Sequence, residues 1–125
     1  MSVAIVDDHT LFREVVSRFL TYQGFTVLTE AMHGQAFLTW LETCPRLPDI
    51  CLLDIEMPVM DGYETARHLR RKYPSIRILA LSLFLDKTKE KLMLRSGADC
   101  VLAKEGLPDK LKETLLNVYR GKRRG

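Results

Sequence analysis

Apolar residues fall along this chain in two alternating rhythms. Short runs at Ser2–Val6, Phe25–Leu28, Ile50–Leu53, Ile76–Leu81 and Val101–Ala103 have the length and residue types of strands. Between them the apolar positions recur at helical spacing. Leu11, Phe12, Val15, Val16, Phe19 and Leu20 form one broad face, with Thr10 as candidate cap and Gly24 as terminator. Ala36, Phe37, Trp40 and Leu41 mark a helix over 35–42 that Pro45 and Pro48 close, with Trp40 at the core or its edge. Tyr63, Ala66 and Leu69 mark one over about 63–72, stopped by Pro74. Asp86 caps a charged helix with Leu92 and Met93 on its buried side and Gly97 as terminator. Pro108 opens a last helix carrying Leu107, Leu111, Leu115 and Val118.

Five strands alternating with five helices predict an α/β fold. The sheet is parallel, with right-handed crossovers and helices on both faces. Near-continuous apolar strands fit a sheet covered on both sides. One open five-stranded sheet is most economically flavodoxin-like, in the order 2-1-3-4-5, which sets strands one and three side by side at the switch point.

Composition narrows the class. At 125 residues, 46% apolar and 28% charged, the chain is one globular domain with room for a core. No apolar run reaches the roughly 18 residues of a membrane span, and no secretory signal is seen, so a cytoplasmic protein without membrane contact is expected. The net charge of +3 comes from the end of the chain: without Arg120, Lys122, Arg123 and Arg124, 15 basic residues face 16 acidic ones. The rest of the chain therefore has no nucleic-acid footprint; one domain over 1–120 is expected, with 121–125 as a basic tail or the start of a linker. Cys44, Cys51 and Cys100 lack paired spacing, and His9, His33 and His68 lack HExxH spacing, so neither disulfides nor zinc are expected.

Chemistry gathers where strands end. The first run stops at Asp7-Asp8, the third at Asp54, the fourth at Ser82 and the fifth at Lys104. In the order 2-1-3-4-5 these meet at the edge where open α/β sheets bind ligands. After Asp54, Pro58 and Gly62 force residues 55–61 into a loop. Three carboxylates so close repel one another, so either one is protonated or a cation neutralises them. An all-oxygen site with room for water suits Mg²⁺ better than zinc. With a lysine and a hydroxyl around a nucleophilic carboxylate, phosphoryl transfer is the matching chemistry.

Val6-Asp7-Asp8-His9, the block from Asp54 through Met57-Pro58 to Asp61-Gly62, Leu81-Ser82, Ser96-Gly97-Ala98 and Lys104 resemble the receiver domain of two-component response regulators. The segment Asp8 to Arg13, and Glu105 after the lysine, are most similar to the NarL/FixJ-type transcription-factor subfamily. The resemblance implies that Asp54 accepts a phosphoryl group from a phosphohistidine on a sensor histidine kinase. It implies that Asp8, Asp54 and the main-chain carbonyl of Glu56 ligate Mg²⁺, with Asp7 acting mainly through water. Lys104 would hold the phosphoryl oxygens, and Ser82 would move to bond them and carry the switch to the surface around the fourth helix and fifth strand. Such a domain is no enzyme towards other molecules. It catalyses its own phosphotransfer and slow self-dephosphorylation, and signals by dimerising or by docking an effector. DNA would be reached only through an output domain beyond this chain.

Two features depart from the family pattern. Receivers usually carry Tyr or Phe three residues before the lysine, as a partner of the hydroxyl residue; here Val101 stands there. The residue after the hydroxyl is commonly small; here it is Leu83, which with Glu56 and Phe84 should flank the path of a hydrolytic water. Two rivals share parts of the pattern. An aspartate-nucleophile phosphatase of the haloacid-dehalogenase type needs its nucleophile early and its acidic pair late, the reverse of this order. A pseudo-receiver interaction module is favoured by Val101 and disfavoured by the retained Asp, Ser and Lys.

Overall fold

The computed structural model describes residues 1–121. Residues 122–125, most of the expected basic tail, lie outside the described residues. Among the described residues, strands β1 (Ser2–Val6), β2 (Thr26–Ala31), β3 (Ile50–Asp54), β4 (Arg77–Ser82) and β5 (Cys100–Ala103) alternate with helices. The helices are α1 (Thr10–Tyr22), α2 (Gly34–Leu41), α3 (Gly62–Lys72), α4 (Lys87–Ser96) and α5 (Leu111–Tyr119). All pairings are parallel and the order is β2-β1-β3-β4-β5, the flavodoxin-like arrangement expected. Val6 pairs with Leu53, Asp54 with Leu81 and Ser82 with Ala103, which levels the polar strand ends along one edge.

Because successive strand residues face opposite sides, the sheet separates two cores. Ala4, Val6, Cys51, Leu53, Ile78 and Ala80 pack with Phe37 of α2, Ala66 and Leu69 of α3 and Met93 of α4. Val3, Ile5, Leu52, Leu79 and Leu81 pack with Val16 and Leu20 of α1 and with Leu111, Leu115 and Val118 of α5. Trp40 stacks on Phe37 at the edge of the first core, as expected. Cys51 is buried, and burial pushes its thiol far up, so it packs as an inert small hydrophobe.

Several local expectations need correction. His9, not Thr10, is the N-cap of α1; its backbone N–H is held by Asp7 Oδ1 at 2.9 Å, so Asp7 fixes the chain where the helix starts. The second strand begins at Thr26 and runs on to Ala31, because Phe25 still bonds back to Leu20 while β1 offers partners as far as Ala31. Pro108 does not open α5. It sits in a turn closed by the Leu111 N–H on the Pro108 carbonyl at 2.9 Å, and the helix begins at Leu111. Leu107 nonetheless packs on the second core. In α4 only Met93 of the expected pair is buried, since Leu92 lies a 100° step round the helix. The broad face of α1 is narrower than its sequence implied: Val16 and Leu20 cover the sheet, while Leu11 and Val15 point to solvent. Asp86 and Gly97 bound α4 as expected, Asp86 Oδ1 accepting the Lys89 N–H at 2.8 Å and Gly97 taking φ +125°.

Candidate phosphoacceptor site

The sequence positions Asp54 by stopping a buried strand at a carboxylate and turning sharply. Gly62 donates its N–H to the Ile55 carbonyl at 2.7 Å, and a Cβ on it would lie 2.5 Å from the Asp54 carbonyl oxygen. Only glycine lets α3 start this close beneath the strand end. Asp61 then caps α3 through its carboxylate on the Glu64 N–H at 2.9 Å. In the loop between, Val59 is held at φ +69° as the Met60 N–H reaches back to the Pro58 carbonyl at 2.7 Å. That is the strained form of γ-turn, on a β-branched residue.

Asp7, Asp8, Asp54 and Lys104 converge as the strand order demands. The carboxylates of Asp7, Asp8 and Asp54, with the His9 ring, place ligand atoms within 4.8 Å of one another. Lys104 enters from the end of β5, its Nζ 2.8 Å from Asp7 Oδ2 and 3.4 Å from Asp54 Oδ1. It lies 4.5 Å above the Phe12 ring, and His9 Nδ1 is 3.3 Å from the same ammonium. One lysine does not balance three carboxylates. Burial, with the Asp7 charge adding to it, raises the Asp54 carboxyl to about 7, against the opposing pull of Lys104. Asp8 Oδ1 and Asp54 Oδ2 are buried oxygens that accept no hydrogen bond. Unsatisfied buried oxygens of Asp8 and Asp54, with the Asp7 carboxylate beside them, are the donor set of a small hard cation, so a divalent ion with oxygen ligands fits.

Ser82 and Glu56 face one another rather than the carboxylates. Ser82 Oγ donates to Glu56 Oε1 at 3.0 Å, and Glu56 Oε2 lies 3.2 Å from Lys89 Nζ of α4. The side chain of Glu56 is thus committed to Ser82 and Lys89; the role expected of this residue at the metal concerned its main-chain carbonyl.

Beside Lys104 opens a groove of about 720 Å³, lined mainly by Leu11, Phe12, Val15, Leu83, Phe84 and Leu107. Leu83 and Phe84 are 52% and 76% exposed, so they form its wall. Sequence reasoning missed His9 and Phe12 as site residues, and Lys89 altogether. Phe12 looked like helix core, and no spacing rule links Lys89 to Glu56.

The parallel sheet with carboxylates and a lysine at one edge defines an α/β domain with a charged site at its strand ends. A family model described as "Response regulator receiver domain" matches residues 3–116, and the chain belongs to that family. It is 35% identical over 122 residues to the transcriptional regulatory protein DegU of Brevibacillus brevis, covering 97% of this chain and 51% of that protein. To the nitrate/nitrite response regulator protein NarL of Escherichia coli it is 32% identical over 121 residues, 96% of this chain and 55% of the relative. The chain thus spans about half the length of these curated relatives. Among solved structures, the signal receiver domain of the putative response regulator NarL from Mycobacterium tuberculosis superposes with a TM-score of 0.89 at 34% identity, over 97% of both chains. The resemblance to NarL-type regulators of transcription is the one the sequence suggested. No helix among the described residues is long and apolar enough to cross a membrane.

Proposed function

We propose that this chain is a phosphorylation-operated switch whose acceptor is Asp54 and whose donor is a phosphohistidine on a sensor histidine kinase. The observation that carries this is a buried carboxylate with a free Oδ2, flanked by Lys104 and two further carboxylates at the open edge of the sheet. In the transfer a carboxylate oxygen of Asp54 bonds to phosphorus. The phosphorus–nitrogen bond breaks, and the imidazole leaves with the electron pair and takes up a proton. Asp54 must be ionised to attack, which its raised pKa opposes. Mg²⁺ held by Asp8, Asp54 and the Glu56 carbonyl, with Asp7 acting through water, would supply the missing positive charge and favour that ionised form. Lys104, now on Asp7 and Asp54, is within reach of the incoming phosphoryl oxygens. Ser82 supplies a hydroxyl donor to them.

Leu11, Val15, Leu83 and Phe84 give a protein donor an apolar seat at the mouth. The reading includes a cytoplasmic setting and an output on transcription through an attached or partner domain, with dimerisation as a means of signalling. It excludes turnover of other substrates. With acetyl phosphate and Mg²⁺, mass spectrometry should show one added phosphoryl group, base-labile and mapped to Asp54, and absent from Asp54→Asn. A phosphoryl group elsewhere, or none on the wild type, sinks this reading and favours the pseudo-receiver module.

A further inference from the structure

The residue three before Lys104 is Val101, which is buried, packed in the first core, and carries no hydrogen-bonding group on its side chain. Whatever carries a change at Ser82 outward in this chain cannot be an aromatic side chain at that position. The contacts of Ser82 lead elsewhere. Its hydroxyl donates to Glu56 Oε1 at 3.0 Å, and Glu56 Oε2 lies 3.2 Å from Lys89 Nζ. Lys89 Nζ also donates to the Phe84 carbonyl at 2.8 Å, in the loop between β4 and α4. Lys89 stands in the first turn of α4, where its own N–H is capped by Asp86. Two side chains, Glu56 and Lys89, therefore join the loop after the acceptor, the end of β4 and the start of α4.

A serine hydroxyl has one proton to donate. Ser82 cannot give it to Glu56 and to a phosphoryl oxygen together, so the two bonds exclude each other. A phosphoryl group on Asp54 also brings negative charge towards the Glu56 carboxylate. We propose that Lys89 is a positioning residue that holds Glu56 on the Ser82 hydroxyl in the resting protein. Phosphorylation of Asp54 breaks the Ser82–Glu56 bond and so loosens Lys89 and the first turn of α4. This rests on the phosphoacceptor reading and adds to it a polar route from the site to a helix on the surface. The side chains of Glu56 and Lys89 are 50% and 31% exposed, so the contact is weak and readily broken.

The test compares wild type, Lys89→Gln and Lys89→Arg, with and without acetyl phosphate and Mg²⁺. Two quantities are read: amide hydrogen exchange over residues 86–92, and the rate of phosphorylation followed by mass spectrometry. In the resting protein Lys89→Gln should speed exchange there about two- to fivefold, the scale of an exposed ion pair. It should raise the phosphorylation rate by a similar factor at unchanged Mg²⁺ affinity, and Lys89→Arg should restore both. Phosphorylated wild type should exchange like resting Lys89→Gln. Unchanged exchange in resting Lys89→Gln overturns the proposal, as does faster exchange with an unaltered phosphorylation rate. If no variant takes up phosphate, the phosphoacceptor reading fails, and with it the triggering step. The resting exchange comparison then decides separately whether Lys89 anchors α4.

Discussion

The two edges of the sheet hold their charges in opposite ways. At the edge where strands begin, Asp99 precedes β5, with its side chain 2% exposed, and faces Arg70 of α3 at 2.8 Å. The same Asp99 Oδ2 accepts the Ile78 N–H at 2.8 Å, and Arg70 also donates to the carbonyls of Gly97, Pro74 and Ile76. Nearby, Asp49 Oδ2 accepts from the backbone and hydroxyl of Ser2. At the edge where strands end, three carboxylates share one lysine, and two of their oxygens are buried without a donor. Both edges bury carboxylates, but one gives Asp99 a guanidinium and a backbone N–H to itself, while the other spreads a single lysine over three. A buried charge with its hydrogen bonds made is part of the scaffold, whereas one left short is held ready for something that must arrive. Backbone strain at Val59 falls on the same undersupplied edge.

The contrast has measurable consequences. The largest is at the satisfied edge. Arg70→Ala strands Asp99 and three carbonyls and should cost about 3 kcal/mol in urea unfolding. Arg70→Lys should recover only part of that, because an ammonium lacks the planar fork. A loss below about 1 kcal/mol would mean that the two edges do not differ as described.

At the other edge, removing a charge should help. The folded pKa of Asp54 is raised to about 7 from an ordinary value of 3.8. Between those values the folded state binds more protons than the unfolded one. Without divalent cations, stability should therefore be highest on the acid side of this window and fall as pH rises from about 4 to about 7. Asp54→Asn should flatten that fall and be about 2 kcal/mol more stable than wild type at pH 8. A destabilised Asp54→Asn would place this carboxylate with the satisfied ones.

The smallest effect concerns the strained loop. Val59 is 77% exposed, so Val59→Asn loses little packing and relieves a conformation that branched residues resist. It should raise stability by about 1 kcal/mol. No gain in thermal unfolding would show that the turn costs the folded state nothing.

Much of this protein was legible in one dimension. Burial of a strand or helix leaves a periodic trace in its own residues, and right-handed crossovers leave few ways to arrange five such units. The order of the sheet, and the meeting of Asp7, Asp8, Asp54, Ser82 and Lys104 at one edge, follow from that. Caps were legible at Asp86, and misread at Thr10, where the Asp7 carboxylate holds the N–H of the preceding residue, and at Pro108, where a turn comes before the helix. Tertiary structure alone decided that Leu11 and Val15 line a groove instead of the core. A helix resting on a sheet buries one stripe, and the neighbouring loops choose which. Only the fold brought His9 to Lys104 across 95 positions, and Glu56 between Ser82 and Lys89. Such contacts depend on loop course and side-chain rotamer at long sequence separation, and neither imposes a repeat on the chain that makes them.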